Sequence, residues 1–192
     1  MKNILYNLSH LYCAVNANMD CGNAPYCGVL VLSLGESNKD PFVNGLWPLN
    51  SFAGSSKCVT PEGDPSDDIP PSSCYNDEDV QKNVWQSHGI CAASNPVMYF
   101  NQVCSLSTSP LIIVNNLKIQ GKNINDIAKN LQSANYEVYN IDSLNDQLEL
   151  SVCAGLNTVW VISSVKDFGS KCGSGLYKNN LRSTTRPIVL TS

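Results

Sequence analysis

The chain of 192 residues predicts an α+β domain. Three observations support this fold class: an apolar segment before residue 35, helical periodicity in the middle of the chain, and strand-like segments after residue 136. Hydrophobic residues make up 43% of the chain, which is enough to form a sizeable core. The length predicts a single domain over residues 1–192. Residues 1–20 are either an atypical leader or an N-terminal extension of that domain.

The first strands come before a long loop. Residues 27–34 (CGVLVLSL) form an apolar, β-branched run next to glycine and predict a buried strand. Residues 42–44 predict a second, short strand that enters a turn at residues 44–48 (NGLWP). Residues 50–76 are rich in Ser, Pro, Gly and Asp and predict a long loop.

Three helices are predicted in the middle of the chain. Residues 77–88 begin with three acidic side chains, which are favourable at a helix N-terminus. A second helix begins at Ser94 or Asn95, with Pro96 in its first turn. A third helix covers residues 124–134, where apolar residues recur at helical spacing. The apolar stripe of the second helix consists of Val97, Phe100, Val103 and Cys104.

The C-terminal part predicts four strands. Residues 137–141, 148–152 and 158–162 alternate between apolar and polar or run apolar, and residues 187–190 form a last apolar segment. The predicted elements follow the order strands, helices and then more strands, which is typical of an α+β fold.

Charge and hydropathy exclude some classes of protein. The formal net charge is −4 and the pI is about 5.0, so the chain lacks the basic surface with which proteins grip duplex nucleic acid. An enzyme that holds a few nucleotides in a cleft needs no such surface. No apolar run is long enough to predict a membrane span, and no motif predicts a cofactor or a metal.

The cysteines predict a disulfide framework in an oxidising compartment. The best zinc candidate is the set His10, Cys13, Cys21 and Cys27, but its spacing fits no common zinc module. A glycosylation sequon at Asn7 agrees with a secreted or lumenal glycoprotein. Because nine is odd, at least one thiol is free or pairs with another chain. The nine are Cys13, Cys21, Cys27, Cys58, Cys74, Cys91, Cys104, Cys153 and Cys172.

Two short segments carry a specific signal. Residues 44–48 read NGLWP, and residues 83–91, about forty positions later, read NVWQSHGIC. They resemble the two active-site segments of the ribonuclease T2 family, the secreted acid and S-type ribonucleases, in which the typical sequences are HGLWP and HEWxKHGTC. The resemblance covers roughly residues 21–172. It implies a central, mostly antiparallel sheet that packs against several helices and is stabilised by disulfides.

The resemblance also implies disulfide pairs. These are Cys58 with Cys91, Cys153 with Cys172, and Cys21 with Cys27. Cys104 has no counterpart in the family, so we expect it to be the free or intermolecular thiol, through which the chain could self-associate or bind a protein partner.

The chemistry implied by the family needs no protein nucleophile. The ribose 2′-hydroxyl attacks the adjacent phosphorus and forms a 2′,3′-cyclic phosphate. One His accepts a proton and another returns one to the leaving 5′-oxygen. A Glu and a Lys between them stabilise the charge on the phosphorane.

Most of these groups are replaced in this chain. His88 matches the catalytic His of the second segment, whereas Asn44 stands in the place of the first. Asn83 stands in the place of a substrate-contacting His. Val84 and Ser87 stand in the places of the Glu and the Lys. An amide can hydrogen-bond a phosphate oxygen, but it has no proton to exchange near neutral pH.

The four replacements favour a ribonuclease T2-like protein with impaired or absent catalysis that acts as a structural, storage or binding protein. The alternative is a low-activity endoribonuclease in which His88 is the sole acid–base group and Asn44 positions the phosphate. A related hypothesis is binding of short single-stranded RNA, with Trp47 and Trp85 as stacking platforms. The sequence leaves open whether the protein is an enzyme.

Overall fold

The structure, a computed structural model, describes residues 26–36, 39–50, 54–55, 69–75, 77–155 and 157–163. In this part of the chain an antiparallel sheet packs against helices, and the predicted α+β class is confirmed. The predicted leader or extension over residues 1–20 and the predicted strand over residues 187–190 lie outside it.

The described residues form six strands and four α-helices. The strands are β1 (Tyr26–Ser33), β2 (Phe42–Asn50), β3 (Gly54–Ser55), β4 (Val138–Asp142), β5 (Gln147–Ala154) and β6 (Trp160–Ile162). The helices are α1 (Glu78–Val84), α2 (Ile90–Ala92), α3 (Pro96–Ile119) and α4 (Ile124–Ser133). A π-helical turn, Trp85–Gly89, joins α1 to α2.

The strand order is β3-β2-β1-β5-β4, and every pairing among the described strands is antiparallel. The strand β6 pairs with the C-terminal half of β5, on the edge whose other half pairs with β4. The strand β1 is central and buried on both faces. Leu30 and Leu32 face the helical core, and Val29 and Val31 on the opposite face are also buried. Burial on both faces explains the continuous apolar run.

The long helix α3 begins where local signals predict it. The Asn95 side chain accepts a hydrogen bond from the Met98 N–H at 2.9 Å, and Pro96 occupies the first turn. Phe100 and Val103 of the predicted stripe are buried, whereas Val97 is 50% exposed.

Among the described helices, α3 is the one whose length and apolar composition would allow it to cross a membrane. Here it packs one face against the sheet, where Tyr99, Val103 and Val114 are almost completely buried.

The C-terminal end of α3 is anchored to the loop between β1 and β2 by Lys118. Its Nζ lies 2.6 Å from the Leu34 carbonyl oxygen, 2.7 Å from that of Glu36 and 2.5 Å from that of Lys39. An ammonium has three donors, and these three short contacts use all of them. The positive φ of +70° at Gly35 helps the loop to curve around the ammonium.

The prediction of a turn at residues 44–48 is wrong, because β2 continues through them to Asn50. Gly45 and Pro48 are common turn residues, but both are accommodated in this strand. Pro48 pairs with Gly28 and lies two residues after Leu46, so its backbone nitrogen points in the same direction as the Leu46 N–H. That N–H points away from β1, toward Tyr99. The missing N–H of Pro48 therefore costs no hydrogen bond in the ladder.

The prediction that Cys104 is free or intermolecular is also wrong. Cys104 forms a disulfide with Cys74, with the two Cα atoms 5.3 Å apart. Closing a loop of this length stabilises a fold by roughly 3–4 kcal/mol. Cys27 and Cys91 are disulfide-bonded as well, but their expected partners, like Cys172, lie outside the described residues.

A half-buried carboxyl group lies on β5. Glu149 is beside Val31 of β1 and Asn140 of β4. Burial raises the pKa of Glu149, the nearby charge of Asp142 also raises it, and a hydrogen bond with Asn140 opposes the shift. The pKa of Asp142 is lowered, mainly by its hydrogen bond from the Asn145 side chain at 2.6 Å.

We predict opposite pH dependences for the stability effects of Glu149→Gln and Asp142→Asn. Because the folded state raises the pKa of Glu149, its stabilising contribution is present below the unfolded pKa of about 4.3 and is lost as pH rises through the folded pKa. Glu149→Gln should therefore raise the melting temperature at pH 7 and have little effect near pH 4.

The matched control Asp142→Asn should lower the melting temperature at pH 7. That loss should disappear as pH falls through the folded pKa of Asp142, since the contribution of a carboxylate with a lowered pKa is present only above it. Thermal unfolding monitored by circular dichroism from pH 3 to 8 measures both. A Glu149→Gln variant that is destabilised at pH 7 would contradict the assignment.

Candidate functional site

The two motif segments, far apart in sequence, form the walls of one small pocket of about 250 Å³. The strand β2 contributes one wall, and α1 with the π turn contributes the other. The described residues that line the pocket are Asn44, Trp47, Asn83, Val84, Ser87 and His88. The structure thus brings together six of the seven residues that the sequence predicts for the site.

Asn44 lies on β2 at a β-bulge. Val31 of β1 pairs with Gly45 and the next residue, Leu32, pairs with Val43, so Asn44 is the extra residue of β2. A bulge breaks the regular alternation of a strand and redirects the side chain at that position. In a regular strand, residues three positions apart point to opposite faces. The bulge explains why Asn44 and Trp47 nevertheless line the same pocket.

Gly45 is required by both the backbone and the space around it. Its φ is +151°, which side-chain-bearing residues rarely adopt. A Cβ at this position would lie 2.6 Å from Val84 Cγ1 and 3.1 Å from the Tyr99 hydroxyl oxygen. The absence of a side chain lets β2 approach α1 and α3 closely, beside the pocket.

Tyr99 on α3 holds β2 at the residue that follows Gly45. Its hydroxyl accepts a hydrogen bond from the Leu46 N–H at 2.9 Å and donates one to the Leu46 carbonyl at 3.0 Å. Leu46 pairs with Leu30 of β1, but these two backbone groups point away from β1, on the edge of β2 where the described part of β3 pairs only with Leu49 and Asn50. The Tyr99 hydroxyl forms hydrogen bonds with both groups there. Tyr99 is completely buried, and burial raises its pKa.

The amino-acid sequence does not reveal the role of Tyr99. Its only local signal is its position next to Phe100 of the predicted apolar stripe, and that signal does not distinguish a packing aromatic from one that binds a strand backbone.

The π turn separates the two aromatic residues predicted to stack on bases. Trp85 is 4% exposed, packs against Tyr99 with ring centroids 5.8 Å apart, and does not line the pocket. A Cβ on Gly89 would lie 2.3 Å from the Trp85 ring, so this glycine makes room for the indole. Ser87 and His88 of the same turn face the pocket. Wide π turns are frequent at functional sites.

Trp47 and His88 form a stacked pair in the pocket. Their ring centroids are 4.8 Å apart and the ring planes differ by 22°. The indole Nε1 of Trp47 is buried and has no hydrogen-bond partner among the described residues. The pair connects β2 to the π turn through a flat aromatic contact.

The pocket can form hydrogen bonds and stacking contacts, but it has little capacity for proton transfer. Of the described residues that line it, His88 alone has a side chain of a type whose ordinary pKa lies near neutral pH, and none is Lys, Arg, Asp or Glu. Asn44, Asn83 and Ser87 offer amide and hydroxyl groups. No three His, Cys, Asp or Glu side chains cluster as a metal site requires anywhere in the described part of the chain.

Comparisons with protein-family models, with curated proteins and with solved structures find no match to this chain. The resemblance to the ribonuclease T2 family therefore stays a prediction that rests on the two motif segments.

We predict that Gly45→Ala destabilises the protein more than Gly121→Ala does. Gly121 has a φ of +72° with open space around it, so its substitution measures conformational strain alone, about 1–2 kcal/mol. Gly45→Ala adds a clash with Val84 that costs roughly 1–3 kcal/mol more. Urea unfolding of both variants measures the difference, and equal losses would show that β2 and α1 are not in tight contact.

We also predict that Tyr99→Phe lowers the free energy of unfolding by about 1–3 kcal/mol, because it leaves the Leu46 N–H and carbonyl unpaired in the core. The control is Tyr136→Phe, since the Tyr136 hydroxyl makes no hydrogen bond within the described residues. Amide exchange at Leu46 should accelerate in Tyr99→Phe alone. An unchanged exchange rate would rule out the hydrogen bonds.

Proposed function

We propose that this chain is a ribonuclease T2-like protein that has lost RNA-cleaving chemistry and retains its pocket for binding a small ligand. The observation that carries the proposal is the composition of the pocket. Six motif residues converge on it, but His88 is the single lining residue, among those described, with a side chain of the type that ordinarily exchanges a proton near neutral pH.

Cleavage by transphosphorylation requires two proton transfers and stabilisation of a dianionic phosphorane. His88 could supply one transfer. Asn44 cannot supply the other, because an amide neither gains nor loses a proton near pH 7. Val84 presents methyl groups where a carboxylate would be needed, and Ser87 presents a hydroxyl where an ammonium would be needed.

The pocket suits part of a nucleotide better than an extended strand. Its volume of about 250 Å³ lies just below the roughly 300 Å³ at which pockets for drug-sized ligands begin. Amide groups from Asn44 and Asn83 can pair with a base edge or a ribose hydroxyl, and Trp47 offers an aromatic surface. Because no Lys or Arg lines the pocket among the described residues, phosphate should contribute little to the affinity at neutral pH.

A second candidate is a low-activity endoribonuclease. It is favoured by the placement of Asn44 and His88 at the same pocket, where Asn44 could hold a phosphate oxygen while His88 transfers the proton. The two candidates differ in whether His88 is needed for any residual cleavage.

We predict that the wild-type protein and His88→Ala cleave single-stranded RNA equally little at pH 5 and pH 7. Asn44→His alone should raise the rate by less than about tenfold, because the Glu and Lys positions remain replaced. Restoring all four positions (Asn44→His, Asn83→His, Val84→Glu, Ser87→Lys) should raise it by roughly 10²–10⁴-fold or more, the value of one general acid–base group. Detection of 2′,3′-cyclic phosphate ends measures each rate.

Cleavage by the wild type that His88→Ala abolishes would reject the leading candidate in favour of the second. Binding is tested separately with short single-stranded RNA. Trp47 is the pocket tryptophan, whereas Trp85 and Trp160 are both 4% exposed. Oligonucleotides should therefore change the fluorescence of the wild type but not of Trp47→Phe. No change in the wild type would reject the binding role.

A further inference from the structure

A second cavity, larger than the motif pocket and separate from it, lies between residues 69–75 and one face of α3. Its volume is about 440 Å³, within the range of about 300–1,000 Å³ that is typical of small-molecule sites. Ser72 and Ser73 line one side, and α3 contributes Asn101, Cys104 and Ser105. Neither RNA cleavage nor ligand binding in the motif pocket would use this cavity.

The Cys74–Cys104 disulfide meets this cavity asymmetrically. Cys104 is among the lining residues, whereas Cys74 is not and instead packs against the hydrophobic core. A molecule in the cavity therefore meets Cys104 rather than Cys74. In thiol–disulfide exchange the attacked sulfur forms the new bond and its partner leaves as a thiolate. This asymmetry favours attack on Cys104, with Cys74 as the leaving group.

Ser72 contacts the disulfide from the cavity side. Its hydroxyl oxygen lies 2.8 Å from the Cys104 sulfur and 3.6 Å from the Cys74 sulfur. Because a disulfide has no hydrogen to donate, the hydroxyl donates its single hydrogen to the pair of sulfurs. During exchange negative charge develops on the leaving Cys74 sulfur, and a hydroxyl within 3.6 Å of that sulfur can stabilise the charge.

The cavity is polar but uncharged. Its described lining has hydroxyl groups, the Asn101 amide and several apolar surfaces, and it includes no carboxylate that would repel a thiolate. Hydroxyl and amide groups can pair with the peptide groups of a small peptide thiol. The lining therefore suits a thiol of the glutathione class.

We propose that Cys104 is a site of reversible S-thiolation by a small peptide thiol. The incoming thiolate attacks the Cys104 sulfur, a mixed disulfide forms at Cys104, and the Cys74–Cys104 bond breaks. Cys74 is reduced and leaves as a thiolate that takes a proton from solvent, while the sulfur of the peptide thiol is oxidised. Attack by Cys74 on the mixed disulfide reverses the step.

Exchange removes the covalent attachment of residues 69–75 to α3 but leaves the other contacts of this segment in place. The segment keeps the hydrogen bond from the Gln81 side chain to the Pro70 carbonyl at 2.6 Å. It also keeps the edge-to-face contact between the Tyr75 and Phe100 rings, with centroids 5.3 Å apart. The fold should therefore survive the modification.

The test is incubation of the native full chain with reduced glutathione, followed by alkylation with iodoacetamide and peptide mass spectrometry. The expected product carries glutathione on Cys104 and the alkyl group on Cys74. Ser72→Ala should slow its formation about tenfold, the effect of losing one hydrogen bond to a charged sulfur. The neighbouring cavity residue provides the matched control, and Ser73→Ala should react at the wild-type rate.

Blocking the cavity gives an independent measurement. Ser105→Phe should slow exchange by about tenfold or more, because exchange depends on access to the sulfur. Asn116→Phe, at an exposed position of α3 that does not line the cavity, should leave the rate unchanged. The proposal is overturned if glutathione attaches to Cys74, if the disulfide reacts only after denaturation, or if both phenylalanine variants react at the wild-type rate. This site is independent of the proposed ligand pocket.

Discussion

The pair of hydrogen bonds between the Tyr99 hydroxyl and the backbone of Leu46 is the constraint on which the candidate site depends. One fully buried side chain of α3 satisfies both outward-facing backbone groups of β2. An unpaired buried N–H or carbonyl would cost about 1–3 kcal/mol. The contact therefore fixes the distance between sheet and helix beside the pocket, and Gly45 permits that distance because a Cβ would collide with α1.

The shape of the pocket comes from the backbone rather than from catalytic side chains. The bulge at Asn44, the positive φ at Gly45 and the π turn before His88 set the positions of the lining residues. None of these features requires a group that transfers protons. A pocket of this kind can persist after its acid–base residues are replaced, which is the physical basis for proposing binding without cleavage.

Local signals predicted part of the fold well. The start of α3 follows from the cap at Asn95 and the proline after it, and α4 begins beside Asn123, whose side chain accepts a hydrogen bond from the Asp126 N–H. Predictions that depended on distant partners were less successful. Residues 44–48 form part of a strand and not the predicted turn. Their glycine and proline fit the strand because of contacts with residues distant in sequence, which no local pattern reveals.

The amino-acid sequence alone was sufficient to predict the α+β class and most of the elements, because hydrophobic periodicity and helix caps are local features. Six residues of the two motif segments also line one pocket. The roles of individual side chains depended on three-dimensional packing. Trp47 lines the pocket and Trp85 is buried, although both belong to the same motif pair. Cys104 pairs with Cys74, although neither spacing nor resemblance indicated it. Burial and disulfide pairing are long-range properties, which arise only when segments distant in the chain pack against each other.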